Sequence, residues 1–157
     1  MATLYAQQHD NRIIGIATGN IGLKYWDLKG KINILKAVTV INSMILKAGY
    51  FAGYKIAFGQ RETKSLMHDW SKVVFTGNYK HIIQHEHISN NAALFIHFKG
   101  DEFAPLSSTL GLSRYFHNPQ VSSLDLTLKR QGNQHSVWIK DPDELIDLIK
   151  KWLNCTA

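Results

Sequence analysis

The stretch Ala93-Leu94-Phe95-Ile96-His97-Phe98, followed by Lys99-Gly100-Asp101, decides how the chain folds. A short run with a single polar side chain, ended by a glycine, is typical of a strand that is buried on both faces. Such strands belong to parallel sheets that are covered by helices. Asp101 therefore follows a buried strand at the sheet edge where parallel sheets collect their functional groups.

The chain after Asp101 alternates between helical and extended patterns. We expect a helix over 106–116, a strand over 121–128 and a last helix that Asp141 caps, with Pro142 in its first turn and Glu144 three residues after the cap. One face of that helix is apolar, formed by Leu145, Leu148, Ile149, Trp152 and Leu153. Strand, helix, strand and helix in this order predict an α/β fold with a parallel sheet.

The first half of the chain adds one strand and two helices. Residues 12–18 predict a buried strand, and 30–48 and 62–75 predict helices with no secure strand between them. Two consecutive helices interrupt the regular alternation of strands and helices. We therefore expect residues 1–29 and 81–157 to form the core and residues 30–80 to form a helical insertion.

His135 lies on a loop between the predicted strand and the last helix, 34 positions after Asp101. Because both residues follow parallel strands, the topology places them at one edge of the sheet. An aspartate that accepts a hydrogen bond from a histidine fixes its tautomer, and the other ring nitrogen then exchanges a proton with a nucleophile. The plainer alternative is that both are solvated residues of polar turns.

Two segments carry a family resemblance: 93–105 around Asp101, and Gln134-His135-Ser136-Val137-Trp138. They resemble the acid segment and the histidine loop of serine-type α/β-hydrolases. Further similarities to a bacterial group of predicted α/β-hydrolases lie in Thr18-Gly19-Asn20-Ile21-Gly22, Gly49-Tyr50-Phe51, Gly53, Phe58-Gly59, Asp69-Trp70 and Gly77-Asn78-Tyr79.

The resemblance implies hydrolysis of a small-molecule ester or acyl substrate, with Asp101 and His135 as two members of a Ser-His-Asp triad. It further implies that residues 18–22 follow the sixth strand of the family sheet and that 30–80 form a helical cap. The aromatic residues of this cap suit a lipophilic acyl group; they are Tyr50, Phe51, Phe58 and Trp70.

The chain departs from the family in the nucleophile. Members carry Gly-x-Ser-x-Gly at a turn between a strand and a helix, and the sequence contains no such motif; Gly111-Leu112-Ser113 comes nearest. The loop that donates oxyanion-hole amides is also missing, and Gln134 replaces a glycine. We expect a C-terminal half that is inactive alone, as a gene remnant, a split enzyme or a product with an upstream start. The edge at 12–18 would favour a complementing N-terminal polypeptide or self-association.

Composition limits the remaining possibilities. The 157 residues have 45% hydrophobic content, a net charge of +6 with scattered Lys and Arg, and one cysteine, Cys155. We expect a cytoplasmic protein with no membrane span, no nucleic acid partner, no cofactor, no metal and no disulfide.

Two other functions stay open at this point. The strand 121–128 and the last helix also fit the end of a pleckstrin-homology-like module that binds anionic lipid, with Lys129 and Arg130 as contacts. His81 and His85, four residues apart, are candidate metal ligands, although a zinc site needs three or four.

Overall fold

The computed structural model describes residues 11–56, 59–83, 88–127 and 131–155. The chain divides into two compact units, one of Met1–Asn20 with Glu86–Ala157 and the other of Ile21–His85. In chain order the elements are β1 (Ile13–Ile16), α1 (Leu28–Ala48), β2 (Phe51–Ala52), β3 (Arg61–Glu62), α2 (Lys64–Thr76), β4 (Ala93–Phe98), α3 (Leu106–Ser113), β5 (Gln120–Leu124) and α4 (Asp143–Cys155).

The first unit contains a parallel sheet with the strand order β1-β4-β5. All six residues of β4 are buried, which confirms the prediction for the central stretch. The strand predicted within 12–18 is present as Ile13–Ile16, but its residues are half-buried rather than buried. β1 is an outer strand of the described sheet, at the edge that the sequence predicted. With helices and the second, antiparallel strand pair, the chain is a mixed α/β protein, as predicted at that level.

Side chains of β4 alternate between the two faces of the sheet. Leu94, Ile96 and Phe98 share a core cluster with Leu145 and Trp152 of α4. On the opposite face, the ring of Phe95 lies 5.5 Å from that of Phe116, which follows α3. The two-residue period of a strand therefore produces three layers, with α4 and α3 on opposite faces of the sheet.

The helices of this unit differ in length from the predictions. α3 ends at Ser113 rather than at residue 116, and α4 begins at Asp143, so Asp141 lies two residues before it. The carbonyl of Pro142 accepts the first helical hydrogen bond, from Ile146 N–H at 2.8 Å. The predicted apolar face is confirmed, with Leu145 and Trp152 buried. The strand predicted over 121–128 is shorter in the structure, because β5 ends at Leu124 and residues 125–127 form the loop that follows it. Residue 128 lies outside the described residues.

Both helices of the second unit have clear caps, which explains why their patterns predicted them well. Asp27 Oδ1 accepts the N–H of Gly30 at 2.7 Å before α1, and Thr63 Oγ1 accepts the N–H of Leu66 before α2. The helices end at Gly49 and Gly77, with φ of 75° and 66°, a left-handed conformation that favours glycine. The helix predicted over 30–48 is confirmed and begins two residues earlier, at Leu28. The helix predicted over 62–75 is present from Lys64 to Thr76, because Glu62 belongs to β3 and Thr63 caps the helix.

The core of the second unit is formed by Ile41, Ile45, Phe51 and Met67. On α2, Met67 is buried, whereas its neighbour Leu66 is 43% exposed. Phe51 stands in the short β2–β3 pair, which sequence reasoning missed. Since Phe51 is 1% exposed, it packs this core and does not line a surface for an acyl group.

Candidate functional site

Asp101 stands just beyond the central strand β4. Gly100 makes the turn with φ of 80°, and Asp101 N–H donates to the carbonyl of Phe98 at 3.1 Å. The carboxylate side chain is fully buried. One of its oxygens, Oδ1, accepts the backbone N–H groups of Phe103 at 2.8 Å and Ala104 at 2.9 Å. The loop therefore fixes the direction of the carboxylate before any other side chain contacts it.

His135 lies on the loop between β5 and α4. Its backbone N–H donates to Asn133 Oδ1 at 3.0 Å, and its carbonyl accepts the indole N–H of Trp138 at 3.0 Å. The indole ring stacks on Phe98, with an interplanar angle of 6°. The residue that ends β4 thus anchors the histidine loop through Trp138.

The two predicted site residues meet in the structure. His135 Nδ1 lies 3.0 Å from Asp101 Oδ2 and 3.2 Å from Oδ1, although 34 positions separate the residues in the chain. A carboxylate only accepts hydrogen bonds, so Nδ1 carries the proton and donates it. The imidazole is 39% exposed and the carboxylate is not exposed at all. This arrangement leaves Nε2 as the nitrogen that can exchange a proton with a reacting group.

A shallow pocket of about 380 Å³ lies beside the pair. It is lined by Gly100, Glu102, Phe103, Gly132, Asn133 and Gln134. The ring of Phe103 lies 5.5 Å from the imidazole of His135. The side chain of Gln134 is buried, and its Cγ lies 3.4 Å from where a Cβ on Gly100 would stand. The side chain of Gln134 therefore packs between the loop of Asp101 and the loop of His135.

A second histidine of this unit contacts a serine. His97, buried in β4, has its Nδ1 3.2 Å from Oγ of Ser123, its register partner on β5. Burial lowers the pKa of His97, and the charge of Asp101 opposes that effect. Sequence reasoning passed over this pair; the signal was one polar residue inside an apolar strand. The contact joins Ser123 to His97 and not to His135.

The serine nearest to the nucleophile motif in sequence is not placed as a nucleophile. Ser113 is the last residue of α3, and its hydroxyl donates to the carbonyl of Leu110 at 3.0 Å. The side chain is buried within the helix end. A nucleophile elbow needs an exposed hydroxyl on a tight turn after a strand, and Ser113 meets neither condition.

Of the two candidate metal ligands, His81 and His85, only His81 lies within the described residues, and it contacts one carboxylate. His81 Nε2 lies 3.7 Å from Asp69 Oδ1. His85 lies outside the described residues. Within 11–56, 59–83, 88–127 and 131–155, no three His, Cys, Asp or Glu side chains stand close enough to hold a metal ion.

The pleckstrin-homology-like alternative needs an antiparallel arrangement of the late strand. β5 pairs with β4 in parallel. Lys129 and Arg130, its proposed lipid contacts, lie outside the described residues.

Among the helices that the structure describes, none is long and apolar enough to cross a bilayer.

No protein-family model, no curated protein and no solved structure matches this chain.

Proposed function

We propose that this chain is the later part of an α/β-hydrolase core, in which Asp101 orients His135 as the general base and acid for a serine that another segment supplies. The reaction is hydrolysis of an ester or a related acyl group. The observation that carries the proposal is the 3.0 Å contact between His135 Nδ1 and Asp101 Oδ2. In a triad the histidine takes the serine proton through its other nitrogen and later returns it to the leaving group.

The order of elements supports this reading. The acid follows the middle strand of three parallel strands, a helix and an outer strand come next, and the histidine precedes a terminal helix. This is the order in which α/β-hydrolases deliver the acid and the histidine. The unit Ile21–His85 stands between β1 and β4 in sequence, where a helical cap is expected in this family.

The burial of Asp101 supports a role beyond a polar turn. A carboxylate with no exposed surface loses its hydration, and two backbone amides and one imidazole replace it. A solvated turn aspartate has no need of three donors. The half-exposed imidazole beside it combines a fixed partner on one nitrogen with access at the other.

Ester hydrolysis tests the proposal in two steps. The purified chain alone should hydrolyse p-nitrophenyl butyrate no faster than buffer, since loss of a triad nucleophile costs on the order of 10⁶ in turnover. A segment with Gly-x-Ser-x-Gly, encoded in frame upstream or in an adjacent gene, should restore turnover when it is joined to or mixed with the chain. Absence of any such segment would contradict the proposal.

In the restored enzyme, His135→Ala should reduce turnover by at least about 10³-fold. The control variant His117→Ala changes an exposed histidine of the same unit and should leave turnover unchanged. Turnover that survives His135→Ala would contradict the proposal. Turnover by the chain alone would contradict the claim that the chain lacks a nucleophilic serine. If Ser123→Ala then abolished that turnover, the reacting pair would be Ser123 and His97.

A further inference from the structure

The net positive charge of the chain comes from one of its two units. Residues 21–85 contain ten Lys and Arg against three Asp and Glu, a net charge of +7, whereas the whole chain carries +6. The other unit therefore has a net charge of −1. Such an asymmetry directs the Ile21–His85 unit towards an anionic partner.

The helix α1 concentrates this asymmetry. Between Leu28 and Ala48 the sequence has four lysines and no acidic residue. Lys29, Lys36 and Lys47 are exposed and follow one another at helical spacing along one side of α1. A row of cations without interspersed acids lacks the mixed charge that is usual on a solvated helix face.

An exposed apolar stripe runs next to these lysines. Leu28, Ile32, Leu35 and Leu46 are 75%, 45%, 40% and 87% exposed, at spacings of four, three and eleven residues. Thr39 completes the stripe, and its hydroxyl donates to the carbonyl of Leu35 at 2.9 Å, so that the helix itself satisfies it. The residues that α1 contributes to the protein core, Val38, Ile41 and Ile45, lie on a separate face, about a third of the way around the helix from the stripe.

We propose that α1 is an interfacial helix that docks the Ile21–His85 unit onto a bilayer surface that contains anionic lipid. Helices with an apolar face and flanking lysines lie in the plane of the membrane, with their apolar side chains at the boundary between headgroups and acyl chains. Each lysine near an anionic surface contributes attraction that adds to the apolar burial. α1 lies on the surface and does not cross it, in agreement with its charge.

Charge selects a bilayer over the other possible occupants of this face. A second copy of the chain would bring the lysine row of one helix against that of the other, and like charges at contact are unfavourable. A nucleic acid would engage the lysines but leave the leucines and isoleucine in water. An anionic bilayer satisfies both features at once. The inference does not depend on the proposed function.

Vesicle sedimentation tests the inference with the full chain. The chain should bind vesicles of phosphatidylglycerol and phosphatidylcholine and should not bind pure phosphatidylcholine. Replacing Lys29, Lys36 and Lys47 with Gln should weaken binding by about 100-fold, at roughly fivefold for each lysine. The matched control replaces Lys140, Lys150 and Lys151 with Gln, which changes the total charge equally in the other unit and should leave binding unchanged.

A second pair of variants tests the apolar stripe. Ile32→Ser with Leu35→Ser should weaken binding at unchanged charge, whereas Leu110→Ser with Ile146→Ser, at similar exposure in the other unit, should not. Equal loss in both lysine variants, equal binding to both vesicle types, or no binding to either would overturn the inference. A stable dimer that dissociates on Ile32→Ser would overturn it too, since the stripe would then be a self-association surface. Circular dichroism of each variant establishes that the fold is retained.

Discussion

Asn20 and Ser108 exchange two hydrogen bonds across 88 positions of the chain: Asn20 N–H donates to the Ser108 carbonyl, and the Ser108 hydroxyl donates to the Asn20 carbonyl, each at 2.9 Å. Thr109 Oγ1 adds a third bond, to the carbonyl of Thr18. The loop after β1 is thereby fixed to the start of α3. Both helix residues are buried, so the bonds lie away from water.

Because the loop after β1 lies so close to α3, we expect the substitution Gly19→Ala to destabilise the protein. A Cβ there would stand 2.0 Å from Ser108 Oγ and 2.8 Å from its backbone carbon, so the loop and helix must separate. Gly19→Ala should lower the free energy of unfolding by about 1 to 3 kcal/mol, the usual range for overpacking. Urea unfolding measures it. Ser107→Ala, on the exposed neighbour of Ser108, is the control, and an unchanged stability of Gly19→Ala would contradict the close contact.

Asp101 should stabilise its loop through the hydrogen bonds that its Oδ1 accepts, and not through its negative charge. Asp101→Asn keeps an Oδ1 acceptor for the amides of Phe103 and Ala104, whereas Asp101→Ala removes it and leaves a buried N–H without its acceptor. We expect Asp101→Ala to lower stability by about 2 kcal/mol more than Asp101→Asn. Urea unfolding of both variants measures the difference. Equal stabilities would show that the two amide bonds contribute nothing to the loop.

The buried histidine His97 predicts a loss of stability in acid. Burial lowers its pKa below the unfolded value of 6.5, so between the two values the unfolded chain binds a proton that the folded chain does not. Stability should therefore fall as the pH drops below 6.5, and His97→Gln should reduce that fall. Melting temperatures at pH 8 and pH 5 give the comparison, with His117→Gln as the exposed control. The same pH dependence in His97→Gln would refute the assignment.

Asp125, on the loop after β5, has a pKa of about 2. The hydroxyl of Thr127 is the main cause, and Lys99, whose Nζ lies 2.9 Å away, is the second. Thr127→Val should raise the pKa towards 3.8, by more than Lys99→Met does. Titration of the Asp125 carboxyl carbon by NMR measures both. A larger rise in Lys99→Met would reverse the order of causes.

Periodicity explains which parts of the fold could be predicted. α1 and the apolar face of α4 each follow a helical repeat over enough residues to be unambiguous. β4 has no repeat, but its continuous apolar run of strand length before a glycine predicted a buried strand. Parallel topology also predicted that Asp101 and His135 lie at the same edge of the sheet. This prediction required only where each strand ends and which residues lie on the loop that follows it.

The remaining features depend on contacts that a linear pattern does not contain. β2 and β3 have two residues each, too few for a repeat. The amides that hold Asp101 come from the backbone of its own loop, which any residue type provides. The bond between Ser123 and His97 depends on the register of β5 against β4. These features are set by tertiary geometry.

The tautomer of His135 tests the central claim, that Asp101 orients this imidazole as a base, most directly and in the chain as it is. Long-range ¹⁵N–¹H NMR at about pH 8 distinguishes a proton on Nδ1 from one on Nε2. We expect the Nδ1–H form in the parent and a changed tautomer population in Asp101→Asn, whose amide also donates. An Nε2–H imidazole in the parent, unaltered by Asp101→Asn, would contradict the account.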